Sequence, residues 1–256
     1  MLQLQHYFII FIIIIFIQQT KEGGKMRIAG YEKISLQDYP NHISCIIFTQ
    51  GCNLKCPFCQ NSTLIPFENN DLIDENKILE YLELRKNILN GVTISGGEPT
   101  MQQDLKEFIQ KVKKIGLDVK LDTNGTNYNL LKELIEEKLV DYVAMDIKNS
   151  LKKYDETSGV EKINTENILN SINLLKQNKI DYEFRTTIIN EYHTIQDIYK
   201  IIQLIGDSKY YLQNFKNSSN VLDQNLTSFT EEKLNLWNEI LKNYANVYIR
   251  GIEKGE

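Results

Sequence analysis

Short runs rich in β-branched and aromatic residues alternate, from Met26 onward, with longer segments whose apolar residues recur at helical spacing. The runs predict strands at Ile43–Thr49, Val92–Ser95, Val119–Asp122, Tyr142–Asp146, Tyr182–Ile188 and Tyr210–Gln213. The intervening segments predict helices near Glu75–Leu89, Gln102–Ile115, Leu130–Lys138, Thr165–Gln177 and Thr194–Ile205. Near the end of the chain, Glu231–Tyr244 predicts one more helix and Val247–Ile249 a short terminal strand.

This alternation predicts an α/β protein with a parallel sheet, right-handed crossovers and helices on the outer face of the sheet. Six parallel strands connected in this way form either a doubly wound sheet or an incomplete (β/α)6 barrel. No Gly-x-Gly-x-x-Gly follows the first strand, which disfavours the dinucleotide-binding form of the doubly wound sheet. No internal repeat or Pro-rich linker interrupts the pattern, so we predict one domain over residues 26–256.

The first 25 residues do not follow this pattern. Tyr7–Ile17 is an unbroken apolar run of 11 residues, whereas a membrane-spanning helix needs roughly 18. No Lys or Arg precedes the run and no small-x-small cleavage site follows it, as a signal peptide would require. We interpret residues 1–25 as an extension outside the domain, produced by a misplaced start, with a weak peripheral membrane anchor as the alternative.

Composition narrows the functional classes. The chain of 256 residues carries 29 basic and 34 acidic side chains and a net charge of −5. Binding to nucleic acid depends on clustered Lys and Arg that displace counterions, so nucleic acid is not an expected partner. Four cysteines are too few for a secreted disulfide scaffold, and three of them lie within eight positions. That spacing predicts metal ligation in a reducing compartment, the cytoplasm.

The three clustered cysteines, Cys52, Cys56 and Cys59, form a C-x3-C-x2-C loop directly after the first predicted strand. Three thiolates in one loop can ligate three irons of a [4Fe-4S] cluster and leave the fourth iron without a protein ligand, which makes it a site for chemistry. The alternative is a zinc knuckle, which needs a fourth ligand. Cys45 lies within the strand, where a buried thiol is expected, and His42 precedes the strand at its opposite end.

This loop resembles the signature of the radical S-adenosylmethionine (SAM) enzymes. The resemblance implies that the amine and carboxylate of SAM chelate the open iron. It also implies that an electron from the cluster splits the sulfonium into methionine and a 5′-deoxyadenosyl radical. In that family the aromatic residue before the last cysteine, here Phe58, packs by the adenine. Without the resemblance, Phe58 would be interpreted as a core aromatic.

A second motif, Ser95-Gly96-Gly97-Glu98-Pro99, follows the second predicted strand. Two glycines let the backbone approach a ligand closely, and proline lacks an N–H and so helps to leave carbonyl acceptors free. Alone, the motif predicts only a strand-to-helix turn. The resemblance implies that this segment holds the ammonium group of SAM.

Two further motifs, Asp122-Thr123-Asn124-Gly125 and Ala144-Met145-Asp146-Ile147-Lys148, end the next two predicted strands, where barrel enzymes place their active sites. Alone, they are typical of an Asx turn and a solvated ion pair. The resemblance to the glycyl-radical-activating branch implies that Asp122, Thr123 and Asp146 lie by a monovalent cation and that Lys148 faces the methionyl carboxylate. It also directs Arg185 and Gln213 to the same rim, where a strand-end salt bridge and a buried amide are the alternatives.

The resemblance covers Arg27 to Phe215 and is greatest to the activating proteins of anaerobic ribonucleoside-triphosphate reductases, through Ser35–Pro40, the cysteine loop, Leu121–Gly125 and Asp141–Lys148. Asn41 stands where glycine is usual in that group, and Gln60 where histidine is common. The implied activity is removal of a hydrogen atom from a glycine Cα of a partner reductase. A flavodoxin- or ferredoxin-type protein would supply the electron.

Two other functions compete with this one. A radical SAM enzyme that modifies a peptide or small molecule is the nearest alternative, although no cysteine for an auxiliary cluster follows Cys59. A zinc-stabilised binding module or a simple electron carrier is a different class of protein. An electron carrier has no use for three further polar motifs on the same rim, so the sequence favours an enzyme.

Overall fold

One eight-stranded sheet forms the centre of the molecule, and its strands lie side by side in chain order. The computed structural model describes residues 26–69 and 71–251. The strands are β1 (Ile28–Ser35), β2 (Ser44–Thr49), β3 (Gly91–Gly96), β4 (Asp118–Thr123), β5 (Tyr142–Asp146), β6 (Asp181–Ile188), β7 (Tyr210–Asn214) and β8 (Val247–Arg250). Strand β1 pairs antiparallel with β2, and every later pair is parallel.

Sequential strand order decides between the two predicted architectures. A doubly wound sheet reverses its winding direction, so that a late strand lies beside an early one. Here the winding never reverses. Among the described strands, β1 and β8 remain unpaired edges. The sheet is therefore the predicted incomplete barrel, and the terminal strand β8 continues its parallel run.

Seven α-helices of the described chain connect these strands. They are α1 (Glu75–Arg85), α2 (Leu105–Ile115), α3 (Tyr128–Glu136), α4 (Tyr154–Ser158), α5 (Thr165–Leu175), α6 (Ile195–Ile205) and α7 (Glu231–Leu241). Side-chain caps fix several starts: Thr194 and Asp197 form a capping box at α6. Helix α3 begins before the predicted Leu130 because the Asn127 side chain accepts the Leu130 N–H.

The two faces of β4 have different chemistry. On β4, Val119 and Leu121 are fully buried in the main apolar core, which they share with residues of the surrounding helices. Lys120 and Asp122 alternate with them and therefore face the inside of the barrel. The barrel interior is thus polar around Lys120 and Asp122.

The antiparallel strand β1 leads into a turn that packs against the amino ends of strands β4 and β5. Tyr39, in the segment that carried part of the resemblance, is 3% exposed and lies 5.9 Å from Tyr142 between ring centroids. It also stacks on His42, whose imidazole contacts Asp118 at the start of β4. Asn41 has a φ of 62°, a left-handed conformation that asparagine tolerates better than most residues, so it can stand where glycine is usual.

Residues 1–25 lie outside the described part of the chain, so the interpretation of Tyr7–Ile17 and of the extension stays a prediction. The described part begins at Met26, which is 2% exposed and whose N–H donates to Glu75 Oε2 at 3.3 Å. Within the described ranges, every helix is too short or too polar to cross a membrane.

Candidate active site

A cavity of about 240 Å³ lies at the carboxyl ends of the parallel strands. Its wall brings together residues from the cysteine loop and from the ends of β3 to β7. Of the positions predicted from the sequence, the wall contains Cys52, Cys56, Cys59, Phe58, Gly96, Gly97, Glu98, Asp122, Thr123, Asp146, Lys148, Arg185 and Gln213. The cavity therefore gathers motifs that lie up to 161 positions apart in the chain (Cys52 to Gln213).

The cysteine loop is held by its own backbone and by the segment after β5. The Cys59 N–H donates to the Cys56 carbonyl at 3.0 Å, and the Lys55 N–H donates to the Ser158 carbonyl at 3.0 Å. Gly159 ends helix α4 with a φ of 69°, and a Cβ there would lie 2.1 Å from the Lys55 carbonyl oxygen. The loop conformation consequently depends on close backbone contact with the turn after α4.

A second apolar cluster surrounds the loop from the other side. Leu54, Cys56 and Phe58 are buried there with Ile189, Phe215, Val221 and Leu226. The Asp223 N–H also donates to the Pro57 carbonyl at 2.9 Å. Phe58 is 5% exposed, so it is both part of this core and part of the cavity wall, and the two interpretations of this residue are compatible.

The three thiols are free, and burial makes their ionisation unfavourable. Burial raises the pKa of Cys52 to about 12 and that of Cys56 to about 11, and it raises the pKa of Cys59 as well. The Lys148 ammonium acts in the opposite direction on all three but does not cancel the effect of burial. Thiolates in this loop therefore require additional positive charge, which the irons of a cluster would supply.

The donor set fits an iron–sulfur cluster better than a single ion. Across residues 26–69 and 71–251, no group of three or more His, Cys, Asp or Glu side chains converges closely enough to hold one metal ion. A closed tetrahedral zinc site needs four ligands, whereas the loop supplies three thiols to the cavity wall. Three separate thiols on one wall match a cluster in which three of the four irons each take one thiolate. Cys45 is fully buried in β2 and belongs to the main core, as predicted.

The two glycines at the end of β3 approach the protein's own backbone. Gly96 has a φ of 113°, and a Cβ there would lie 2.4 Å from the Thr49 nitrogen. At Gly97 a Cβ would lie 2.2 Å from the Gly51 carbonyl oxygen, immediately before the cysteine loop. The sequence predicts that these glycines let a ligand approach the backbone closely. The structure adds a stronger requirement, the contact between β3 and the cysteine loop.

Glu98 is fully engaged inside the protein. It is 1% exposed, and its Oε1 accepts the hydroxyls of Thr100 and Thr123 at 2.6 and 2.7 Å. Its Oε2 accepts the Asn124 N–H at 2.7 Å. Burial raises the pKa of Glu98 despite these hydrogen bonds, which favour the charged form. Glu98 thus joins the end of β3 to the end of β4.

Pro99 is the one predicted site residue that does not line the cavity. It is buried at the start of a 3-10 turn, Pro99–Met101, and its carbonyl accepts the Gln102 N–H at 3.0 Å. The ring therefore sets the direction of the chain after Glu98, since proline fits the first position of a helical turn.

A row of alternating charges runs from β4 to β6, and its members Asp122, Arg185, Asp146 and Lys148 line the cavity. Lys120 pairs with Asp122 Oδ1, and Arg185 reaches Asp122 Oδ2 at 3.3 Å. Arg185 Nε contacts Asp146 Oδ1 at 2.8 Å, and Lys148 Nζ contacts Asp146 Oδ2 at 3.0 Å. Burial alone would raise the pKa of both carboxyls, but Arg185 and its basic neighbours outweigh burial and lower them. Both aspartates are therefore ionised at neutral pH.

A hydrogen-bonded triad that was not predicted from the sequence ties the cysteine loop to the end of β4. Asn53 Nδ2 donates to Thr126 Oγ1 at 2.8 Å, and Asn124 Nδ2 donates to Asn53 Oδ1 at 2.9 Å. The Thr126 N–H donates in turn to Asn124 Oδ1 at 3.0 Å. The only signal in the sequence was the presence of asparagine in both motifs, which does not reveal that they meet.

Comparison with known proteins agrees with this geometry. Residues 46–205 match the model of the radical SAM superfamily. Over 236 residues the chain is 35% identical to a Methanocaldococcus jannaschii protein provisionally named a glycyl-radical enzyme activating enzyme, covering 89% of this chain and 97% of that protein. It is also 34% identical over 134 residues to the pyruvate formate-lyase-activating enzyme of Listeria monocytogenes, covering 48% of this chain and 53% of that enzyme.

Solved structures share the fold. Streptococcus suis SuiB bound to SAM superposes with a TM-score of 0.64 at 16% identity, covering 80% of this chain and 49% of the SuiB chain. This chain thus spans about half the length of SuiB. Escherichia coli QueE gives a TM-score of 0.53 at 14% identity, covering 89% of this chain and 95% of QueE.

The fold, the cysteine loop and the sequence match together define the class: this chain belongs to the radical SAM superfamily. It is an enzyme whose cofactors are a [4Fe-4S] cluster and SAM. Among the relatives above, those with the highest sequence identity are activating enzymes, so the chain is activase-like within the superfamily.

Proposed function

We propose that this protein generates a glycyl radical on a partner anaerobic ribonucleoside-triphosphate reductase. The observation that carries the proposal is the common cavity, which joins three free thiols, the Gly96–Glu98 turn and the charged residues Asp122, Asp146, Lys148 and Arg185. The partner is supported by the resemblance through Ser35–Pro40 and Asp141–Lys148. The name of the M. jannaschii relative, whose match extends along most of both chains, supports the coarser part of the proposal, that the partner is a glycyl-radical enzyme.

In this proposal, different residues of the cavity bind the cluster and the parts of SAM. Cys52, Cys56 and Cys59 hold the cluster, and Phe58 packs by the adenine of SAM. The turn at Gly96–Glu98 accepts the SAM ammonium, and Lys148 binds its carboxylate. When bound, the cluster and SAM supply the one-electron cleavage that yields a carbon radical able to take a hydrogen atom.

The chain's own residues position the ligand and exclude water. Asp146 holds the side chain of Lys148, and Arg185 orients Asp146 from β6. The ammonium group of Lys148 is therefore fixed in position before SAM binds. Gln213 and Arg185 close the wall on the side of β6 and β7. The unpaired edges of β1 and β8 leave one side of the barrel open, and this opening would admit a glycine-bearing loop of the partner. A flavodoxin- or ferredoxin-type protein supplies the electron.

The proposal is tested by mixing the anaerobically reduced holoenzyme with SAM and the reductase from the same genome. We expect an organic doublet radical in the electron paramagnetic resonance spectrum, and we expect none with a reductase variant that carries alanine at the target glycine. A doublet that forms only with a formate lyase would overturn the reductase as partner and leave the activase class standing. SAM turnover without a radical on either protein would contradict the activase function and favour a peptide- or small-molecule-modifying enzyme.

A further inference from the structure

The oxygen atoms expected to bind a monovalent cation already have protein partners. Both oxygens of Asp122 accept hydrogen bonds from side chains, from Lys120 on Oδ1 and from Ser95 and Arg185 on Oδ2. Both oxygens of Asp146 do the same, from Arg185 on Oδ1 and Lys148 on Oδ2. The Thr123 hydroxyl donates to Glu98 at 2.7 Å. These residues, as arranged here, do not fit an added metal ion.

Lys120 is the unusual member of this arrangement. It lies in the middle of β4, between Thr93 on β3 and Tyr142 on β5 in the strand register, and is 2% exposed. Removing an ammonium from water costs several kcal/mol unless it is paired, and its hydrogen bond to Asp122 provides that pairing. The lysine and the aspartate therefore hold each other inside the barrel.

Charge balance shows what this pairing does for the cavity. The row contains the cations Lys120, Arg185 and Lys148 and the anions Asp122 and Asp146. The row by itself thus has one positive charge in excess, which complements a ligand carboxylate. Glu98 is not part of this row, because its hydrogen bonds come from the hydroxyls of Thr100 and Thr123 and from backbone N–H groups.

We infer that Lys120 and Arg185 act as built-in cations that replace a bound monovalent metal ion in organising Asp122 and Asp146 for SAM. This inference rests on the proposed assignment of the cavity to SAM and is independent of the identity of the protein partner. SAM affinity should then not depend on which monovalent cation is in the buffer. Lys120 and Arg185 are positioning residues in this account, because they act on SAM through the two aspartates.

The test compares SAM affinity of the anaerobic holoenzyme in potassium, sodium and tetramethylammonium chloride at equal ionic strength. Tetramethylammonium is too large to enter a site between two carboxylates. We expect the affinity of the wild-type protein to differ by less than about twofold among the three salts, a difference of under about 0.4 kcal/mol. A saturable gain of about tenfold in potassium or sodium would overturn the inference.

A variant that lacks the charge of Lys120 should show the cation dependence that the wild-type protein lacks. Lys120→Met keeps the linear side chain and removes its charge, so Asp122 Oδ1 loses its partner. In tetramethylammonium chloride we expect this variant to bind SAM about tenfold more weakly or worse, and potassium or sodium should restore the affinity. Lys106→Met is the matched control, because Lys106 pairs with Glu133 and Glu137 between helices α2 and α3, away from the cavity. It should show no dependence on the cation.

Sodium-23 NMR supplies a readout that needs neither turnover nor the variant's activity. We expect no specific line broadening of sodium by the wild-type holoenzyme with SAM, and broadening that potassium reverses for Lys120→Met. Broadening by the wild-type protein would contradict the inference even if Lys120→Met failed to fold. Cation-independent SAM binding without any glycyl radical would instead refute the proposed function and leave this inference standing.

Discussion

Replacement of Cys56 by alanine is expected to abolish cluster binding and, with it, all SAM cleavage. Cys56 lies in the centre of the loop, 7% exposed, with its thiol on the cavity wall. In the described chain no nearby His, Asp or Glu completes a metal-binding group with the remaining cysteines. Loss of one thiolate therefore leaves two, which is too few to hold a cuboidal cluster with one open iron. Cys52→Ala and Cys59→Ala should behave alike.

Cys45→Ala is the matched control for these variants. Cys45 is fully buried in the main core, and it is the remaining cysteine of the chain. We expect full iron content and SAM cleavage, with a loss of about 1 kcal/mol in the free energy of unfolding from the small cavity. Iron analysis and the visible absorption spectrum after anaerobic reconstitution measure the outcome. A Cys56→Ala protein that retained a complete cluster would refute the ligand assignment.

Gly97→Ala is expected to prevent assembly of the site although it adds only a methyl group. Its Cβ would lie 2.2 Å from the Gly51 carbonyl oxygen and 3.0 Å from the Leu64 carbonyl oxygen. Both are backbone atoms, so no side-chain rotation relieves the clash. The end of β3 must then separate from the cysteine loop, and the Glu98 N–H loses its bond to Gly51. We expect a loss of about 3 kcal/mol in the free energy of unfolding and poor cluster retention.

Gly30→Ala is the control for that change. Gly30 lies on the edge strand β1, and nothing lies within 4 Å of a Cβ built on it. Denaturant unfolding and iron content should match the wild-type protein within error. A Gly97→Ala protein that kept the stability and cluster of the wild-type protein but lost SAM affinity would contradict this prediction. It would show that glycine is needed at position 97 for the approach of SAM and not for the contact with the cysteine loop.

The parallel strands were predictable because both of their faces are shielded, which makes them short β-branched runs. Strand β1 was missed since it is an edge strand that contains a glycine and two charged residues and has three consecutive exposed positions, 32–34. Helix α4 was missed because a helix of 5 residues is too short to establish a helical period. Loops that follow parallel strands meet at one edge, which is why widely separated motifs could be assigned to a common rim.

The contacts within the rim were less predictable. A lysine in a strand is ordinarily expected to face solvent, so Lys120 was not predicted as a site residue. In the structure it is buried and pairs with Asp122. Arg185 was predicted at the rim, but its bridging of two aspartates depends on the register between β4, β5 and β6. Residue spacing along one chain does not contain that register. The direct pairing of Asn53 with Asn124 escaped prediction for the same reason.

Transfer of deuterium is the most direct measurement of the central claim, that radical chemistry in this cavity acts on a partner's glycine. The reductase is prepared with glycine deuterated at Cα and incubated with the reduced holoenzyme and SAM, and the 5′-deoxyadenosine product is analysed by mass spectrometry. We predict that one deuterium appears in the product in the same yield as the glycyl radical. Formation of unlabelled 5′-deoxyadenosine, with no radical on the reductase, would contradict the account.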